Sequence, residues 1–362
     1  MLRDEDYMEL AIHLARMTTG QTSPNPAVGA VVVSHGDIVG VGAHFKAGEA
    51  HAEVHALRMA GDRAEGGVIY VTLEPCAHFG QTPPCADLII RKKLKRVVIA
   101  SLDPNPLVSG KGIERMRRAG IVVDTGVMRK EADAINSFFF HYIRSGLPFV
   151  TLKIASSLDG KTATSAGESK WITNDLSRRN GHVLRGHYDA ILVGIGTVMA
   201  DDPRLTARLQ AEDRQPIRVV LDTHLRIRED ATLLTDGIAP TWIMTGSVID
   251  QKKAERIRRR QVEIVQLPDE RIDVMKVLSC LGERGVMSLL VEGGATVHGS
   301  FLKAGAFDRL IAYVAPKLIG GDAALPAIGG SGIDYLADAA QLSIESVENL
   351  NGDLKIIASR RR

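Results

Sequence analysis

Apolar residues recur at Met8, Ala11, Ile12 and Ala15, the spacing of a helix with one buried face, so Asp6 to Thr18 is expected to be helical. The Ser23-Pro24-Asn25-Pro26 cluster ends that pattern. Val28 to Val33 is a short apolar run, Ser34-His35-Gly36-Asp37 has turn chemistry, and Ile38 to Ala43 is apolar again, which predicts a hairpin. Ala52 to Ala60 predicts a helix stopped by Gly61. Beyond it come a strand over Val68 to Leu73, a helix from about Cys85 to Lys93, and a strand over Val97 to Ser101. A helix opened by Ser109-Gly110-Lys111-Gly112 and closed by Ala119-Gly120 follows, then a strand at Ile121 to Val123. A single helix is expected from Glu131 to Tyr142, broken by Ser145-Gly146-Leu147-Pro148.

That break is the expected domain boundary, giving units 1–146 and 147–362. The second half opens with a strand over Phe149 to Ala155 and a helix around Leu176 to Gly186. Strands at Ala190 to Val193, Ile217 to Leu221 and Met287 to Val291 follow, the last running into Glu292-Gly293-Gly294-Ala295-Thr296 before another helix. Strands alternating with helices predict α/β architecture, with a three-layer first domain around a mixed sheet. Neither Gly-x-Gly loop completes the dinucleotide fingerprint. Strand-end loops of this kind still offer backbone N–H groups to anions.

At 362 residues, 45% hydrophobic and 24% charged, the chain has the composition of a globular protein. A net charge of +2 selects no partner. No run reaches the ~18 apolar residues of a membrane span, and Met1-Leu2-Arg3-Asp4-Glu5-Asp6 does not resemble a signal peptide. Three cysteines provide no disulfide framework, so a cytoplasmic location is expected. Cys280 falls in the apolar helical pattern of Val274, Val277, Leu278 and Leu281 and is expected to fill core.

The chemistry concentrates in residues 51 to 85: His51-Ala52-Glu53, Glu74-Pro75-Cys76 and Pro83-Pro84-Cys85. One imidazole and two thiolates suit Zn²⁺, and three protein ligands leave a position for water, the layout of a catalytic zinc site. Zinc lowers the pKa of bound water to about 7, and Glu53 is the candidate proton carrier. His51 and Glu53 converge only if His51 sits at the loop–helix junction, since side chains two apart on a helix point to different sides. Three other arrangements stand beside this one. His51 and His55 form a zincin-like pair, although Ala52 occupies the place where that motif carries Glu; His78 replaces His51; or the thiols are inert and buried. The zinc-deaminase pattern H-x-E…P-C-x-x-C is met in its first half and stretched in its second, with eight residues between the cysteines instead of two.

Taken whole, Thr72-Leu73-Glu74-Pro75-Cys76-Ala77-His78-Phe79-Gly80-Gln81-Thr82-Pro83-Pro84-Cys85 resembles the deaminase half of the bacterial bifunctional riboflavin-biosynthesis enzymes. Four later motifs resemble the reductase half, in the expected order. They are Lys153-Ile154-Ala155-Ser156-Ser157-Leu158-Asp159-Gly160-Lys161, Gly167 to Thr173, Gly194 to Arg208, and Val291 to Ala295. The resemblance implies a cytidine-deaminase-like domain followed by a dihydrofolate-reductase-like domain with a mixed sheet. It also implies zinc, NADPH, phosphoribosylaminopyrimidine substrates and a homo-oligomer, dimer or tetramer.

By position, the resemblance places deaminase substrate contacts at Asn25, His44, His78, Asp103 and Asn105. Gln81 stands where the family often has Lys or Arg, which leaves Lys111 or a helix N-terminus to meet a phosphate. Cofactor contacts fall on Ala155, Trp171, Thr197, Asp201, Thr223 and the stretch Gly294, Ala295, Thr296, Val297, His298, Gly299 and Ser300. Reductase substrate contacts fall on Lys153, Ser169, Arg185, Leu205, Arg208 and Glu292. Arg185 and Arg208 are expected to grip a ribose phosphate bidentately, and Lys153 and Glu292 to hold the sugar and handle its protons.

Taken singly, each Gly loop and the Asp201-Asp202-Pro203 run also fits turn and capping chemistry, and Trp171 also fits a core position. Lys252 to Arg260 is basic but interleaved with Ala254 and Ile257, the pattern of a solvated helix face, so no nucleic-acid partner is expected. Two rival functions remain: an editing deaminase acting on a flipped base in RNA, and a folding module with structural zinc.

Overall fold

In a computed structural model of the chain, the structure describes residues 2–77, 83–105, 109–208, 215–258 and 261–361. The chain divides into two compact units, Met1–Gly146 and Leu147–Arg362.

The first unit runs α1 (Asp4–Arg16), β1 (Gly29–Ser34), β2 (Asp37–Ala43), α2 (Ala52–Ala60), β3 (Val68–Leu73), α3 (Cys85–Arg91), β4 (Arg96–Ser101), α4 (Lys111–Arg118), β5 (Val122–Thr125), α5 (Arg129–Ile135) and α6 (Ser137–Ser145). Its five-stranded sheet has the order β2-β1-β3-β4-β5. The pairs β1/β2 and β1/β3 are antiparallel, while β3/β4 and β4/β5 are parallel. Alternation along the strands sorts side chains to two faces. Ala30, Val32, Val97 and Ile99 pack with Ala52, Ala56, Leu57 and Ile89 of α2 and α3. Val31, Val33, Val98 and Ala100 pack with Met8, Ala11, Ile12 and Ala132 of α1 and α5. Helices therefore cover both faces of the sheet.

Two glycines set how closely α2 approaches. A Cβ on Gly40 would lie 2.1 Å from the Ala56 carbonyl oxygen, and one on Gly42 would lie 2.3 Å from that of Ala52. Only hydrogen fits at either place, so the helix rests on β2 backbone to backbone.

One sequence expectation is corrected here. The helix drawn from Glu131 to Tyr142 is two helices, α5 and α6, meeting at Asn136. The Asn136 side chain is buried. Its Oδ1 accepts the Ala27 N–H at 2.9 Å and its Nδ2 donates to the Ala27 carbonyl at 2.9 Å. These two bonds to a segment 109 residues away offset the backbone bonds lost at the break.

The second unit runs β6 (Phe149–Ser157), β7 (Lys161–Ala163), α7 (Asp175–Arg185), β8 (Ala190–Gly194), α8 (Ile195–Asp201), β9 (Ile217–Leu221), α9 (Thr232–Thr235) and β10 (Thr241–Thr245). It continues with α10 (Gln251–Ile257), β11 (Val262–Gln266), α11 (Val274–Glu283), β12 (Ser288–Gly293), α12 (Ala295–Lys303), β13 (Arg309–Ala315), β14 (Leu325–Pro326), β15 (Leu342–Leu350) and β16 (Asp353–Arg360). Its nine-stranded sheet has the order β11-β10-β9-β8-β12-β6-β13-β16-β15. All neighbours from β11 to β13 are parallel, and β16 and β15 are added antiparallel at one edge. Insertion of β12 between β6 and β8 brings the carboxyl ends of three strands together, where open α/β sheets place their ligands. In α10 the buried side chains are Ala254 and Ile257, while Lys252 and Arg256 are exposed. No helix among the described residues is long and apolar enough to cross a membrane.

Candidate functional site

His51 is the N-cap of α2, with extended backbone at φ −73° and ψ 165°. His51 therefore stands outside the helical spacing that would send it and Glu53 to different sides. Glu53, in the first turn, is buried. Cys76 follows β3, and Cys85 is the first residue of α3. His51 Nδ1 lies 3.7 Å from Cys76 Sγ and 3.3 Å from Cys85 Sγ, and all three ligand atoms lie within 4.8 Å of one another. Ligands at zinc bond lengths in a tetrahedron have S···N separations of about 3.6 Å, so the three atoms fit that ion. Among the described residues no fourth ligand type joins the group.

The electrostatics favour a thiolate. The Cys85 thiol beside it, then His51 and the Cys85 N–H, hold Cys76 well below the ordinary thiol range against the opposing effect of burial. Burial pushes the Glu53 carboxyl up, opposed by His51.

A cavity of about 490 Å³ opens onto this cluster. Asn25, His44, Asp103 and Asn105 line it together with His51, Glu53 and Cys76. His44 Nδ1 is 3.2 Å from the Ala50 carbonyl and its Nε2 is 3.1 Å from Asn25 Nδ2. A carbonyl only accepts, so Nδ1 carries the proton and Nε2 accepts from Asn25, which leaves the Asn25 oxygen as the acceptor presented to a ligand. Asp103 accepts the Asn105 N–H at 2.8 Å and so fixes its own turn while lining the cavity. His78 and Gln81 lie outside the described residues, and Lys111 is exposed and away from the lining. Sequence reasoning gave no role to Glu74 or Phe139, which also line the cavity. Glu74 accepts the Gly110 N–H at 3.1 Å and ties β3 to the head of α4.

A cavity of about 610 Å³ in the second unit lies where β6, β8 and β12 end. Lys153, Ala155, Ser169, Trp171, Arg185, Thr197, Asp201, Leu205, Arg208 and Glu292, all singled out by sequence, line it. Trp171 is 63% exposed, which rules out the core alternative, and the Arg178 guanidinium sits 4.5 Å from its ring centre. Asp201 pairs with Lys170 at 3.1 Å. Asp202 accepts from the Thr232 N–H and hydroxyl at 2.9 and 2.6 Å, the capping chemistry expected of the run.

The fork of Arg185, expected to grip a phosphate, meets a protein carboxylate in the structure. Its Nε and Nη2 donate to the two oxygens of Glu292 at 2.7 and 2.9 Å. Burial alone would raise the Glu292 pKa, but Arg185, then Lys153 and His182, outweigh it and hold the carboxyl at about 2. Burial pushes Lys153 down, and Glu292 opposes that. Sequence reasoning also missed His182, Lys170, Arg178 and Tyr313 in the lining. Spacing offered a signal for His182, which lies one helical turn before Arg185 on the same face.

Thr223 and residues 294–300 lie outside this lining. Gly294 stands close to it, since a Cβ there would be 3.4 Å from Thr197 Oγ1. Val297 packs on Gly194, Gly299 on the Gly329 carbonyl, and His298 is buried with Nδ1 3.0 Å from the Ala327 carbonyl. Ser300 donates to the Thr296 carbonyl at 2.9 Å.

Residues 1–101 match the model of the cytidine and deoxycytidylate deaminase zinc-binding region, and residues 148–356 match the RibD C-terminal domain. The riboflavin biosynthesis protein RibD of Bacillus amyloliquefaciens is 53% identical over 355 residues, spanning 98% of this chain and 96% of that one. The chain belongs to the RibD family. Among solved structures, RibD of Acinetobacter baumannii superposes with a TM-score of 0.90 at 37% identity, covering 99% of both chains. A Thermotoga maritima diaminohydroxyphosphoribosylaminopyrimidine deaminase/5-amino-6-(5-phosphoribosylamino)uracil reductase does so at 0.87 and 37%, again over 99% of both. This RibD-family chain is thus an enzyme of riboflavin biosynthesis that joins a cytidine-deaminase-like domain to a reductase domain, both built on mixed α/β sheets.

Proposed function

We propose that residues 1–146 deaminate 2,5-diamino-6-(5-phosphoribosylamino)pyrimidin-4(3H)-one. Residues 147–362 then reduce the ribosyl group of 5-amino-6-(5-phosphoribosylamino)uracil to ribityl with NADPH. The observation that carries the first half is the His51, Cys76 and Cys85 cluster with buried Glu53 beside it in one cavity. Zinc held by those three residues would supply an activated water to the ring carbon. Glu53, kept protonable by burial, delivers a proton to the departing amino nitrogen, so that water and amine become carbonyl and ammonia. Asn25, His44, Asp103 and Asn105 hold the pyrimidine and its ribose phosphate, and His78 belongs to the same contact set.

In the second unit Ala155, Trp171, Thr197 and Asp201 form the NADPH side of the cavity. Thr223 and Gly294 to Ser300, at the head of α12, complete the cofactor contacts of this proposal. NADPH held there would supply hydride to the former anomeric carbon. Lys153, Glu292, Ser169, Leu205 and Arg208 hold the sugar, and the ring oxygen takes up a proton as the ring opens. A homo-oligomer in the cytoplasm completes the proposal. Ile344 and Val347, 68% and 57% exposed on the edge strand β15, favour association.

Substituting Glu53→Gln tests the division of labour. Ammonia release should cease, while NADPH oxidation with supplied deaminated intermediate persists. Loss of both in a folded variant would contradict it.

A further inference from the structure

His182 lines the reductase cavity on α7, and its Nδ1 lies 3.4 Å from Nη1 of Arg185. A guanidinium only donates, so Nδ1 must be the accepting nitrogen and Nε2 must carry the hydrogen. Arg185 has little left for a ligand. Its Nε and Nη2 hold Glu292, and its Nη1 serves the Thr206 carbonyl at 3.2 Å as well as His182. Four of its five N–H groups are therefore engaged by the protein. The charged groups acting on His182 are Arg185 from its own helix, Arg208 from the loop after α8, Lys153 from β6 and Glu292 from β12. Burial first, then Arg185 and Arg208, push its pKa down to about 4. The one carboxylate among them is already matched to Arg185. Three cationic side chains against one carboxylate leave this corner with an excess of positive charge, the environment that suits an anion with acceptor oxygens.

We propose that His182 is a specificity-determining residue whose Nε2–H donates to the phosphate monoester of the sugar substrate, with Arg185 as the positioning residue that sets its tautomer. This rests on the assignment of the cavity to reduction of a phosphoribosyl compound. A phosphate monoester is also present on the 2′-position of NADPH. Lys153, Arg185, Arg208 and Glu292, the charged groups that act on His182, all belong to the substrate side of that assignment.

The test uses the full-length enzyme and His182→Leu and His182→Gln variants. Steady-state reduction is followed with 5-amino-6-(5-phosphoribosylamino)uracil, with its dephosphorylated counterpart, and with NADPH or NADH. The Leu variant should raise KM for the phosphorylated substrate about 10- to 100-fold, the loss of one hydrogen bond to a charged group. Gln, which restores a donor, should recover most of it, and KM for the dephosphorylated compound should barely move. The ¹⁵N NMR signals of His182 should show an unprotonated Nδ1 and a protonated Nε2 from pH 5.5 to 8. Equal KM increases for both substrates, a protonated Nδ1, or a Leu variant matching the wild type would overturn the inference. An increase confined to NADPH and absent with NADH would hand the contact to the cofactor. A wild type that oxidises NADPH with neither substrate would instead remove the reductase assignment itself.

Discussion

Glu292→Gln removes the one carboxylate that Arg185 and Lys153 share at the end of β12. In the folded chain Glu292 is held at about 2 against an ordinary value of 4.5. A gap of about 2.5 pH units at about 1.36 kcal/mol each corresponds to about 3 kcal/mol of stability at neutral pH. The geometry gives the same order independently. The side chains of Arg185 and Glu292 are 14% and 9% exposed, and removing one member of such a pair costs about 3–5 kcal/mol because the other charge stays buried. The sign follows from the direction of the shift. A depressed carboxylate stabilises above its unfolded pKa, and that contribution disappears as pH falls through the folded value. The deficit of the Gln variant should therefore be complete above pH 4.5 and shrink to roughly half near pH 3. Both tryptophans, Trp171 and Trp242, lie in the second unit, so tryptophan fluorescence in urea, excited where tyrosine does not absorb, follows that unit. The variant's midpoint should fall by roughly 1 M urea at pH 7. An unchanged midpoint, or a difference that does not narrow on acidification, refutes the assignment of Glu292 as the buried counter-ion.

Asn136→Ala leaves the Ala27 N–H and carbonyl without their side-chain partner, which should cost about 2–3 kcal/mol and lower the calorimetric transition of the first unit. Because Asn25, Pro26 and Val28 of that segment line the deaminase cavity, KM for deamination should rise as well. Gly42→Ala places a methyl 2.3 Å from the Ala52 carbonyl, and overpacking of this kind costs about 1–3 kcal/mol. Pushing α2 outward displaces His51 and Glu53, so bound zinc per chain should fall by elemental analysis while NADPH oxidation is retained.

Much of this was legible in the sequence because local patterns carry it. Gly61 stops α2 with φ at 60°, and the His-x-Glu spacing required His51 at the junction where it sits. Long-range partners were not legible. Nothing near Asn136 announces that Ala27 captures its side chain and splits a helix. Likewise, nothing around Arg185 shows that Glu292, 107 residues on, takes its fork. The hairpin of β15 and β16 escaped notice for a local reason. A register shift between Ile344 and Ser346 breaks the two-residue alternation that would have marked β15, whose outer positions are mostly exposed.

Metal content measured alongside both activities tests the central claim most directly. The account predicts close to one zinc per chain. A chelator should remove it together with ammonia release, added zinc should restore both, and reduction of the deaminated intermediate should continue throughout. A metal-free chain that still releases ammonia, or chelation that silences both reactions equally, would contradict it.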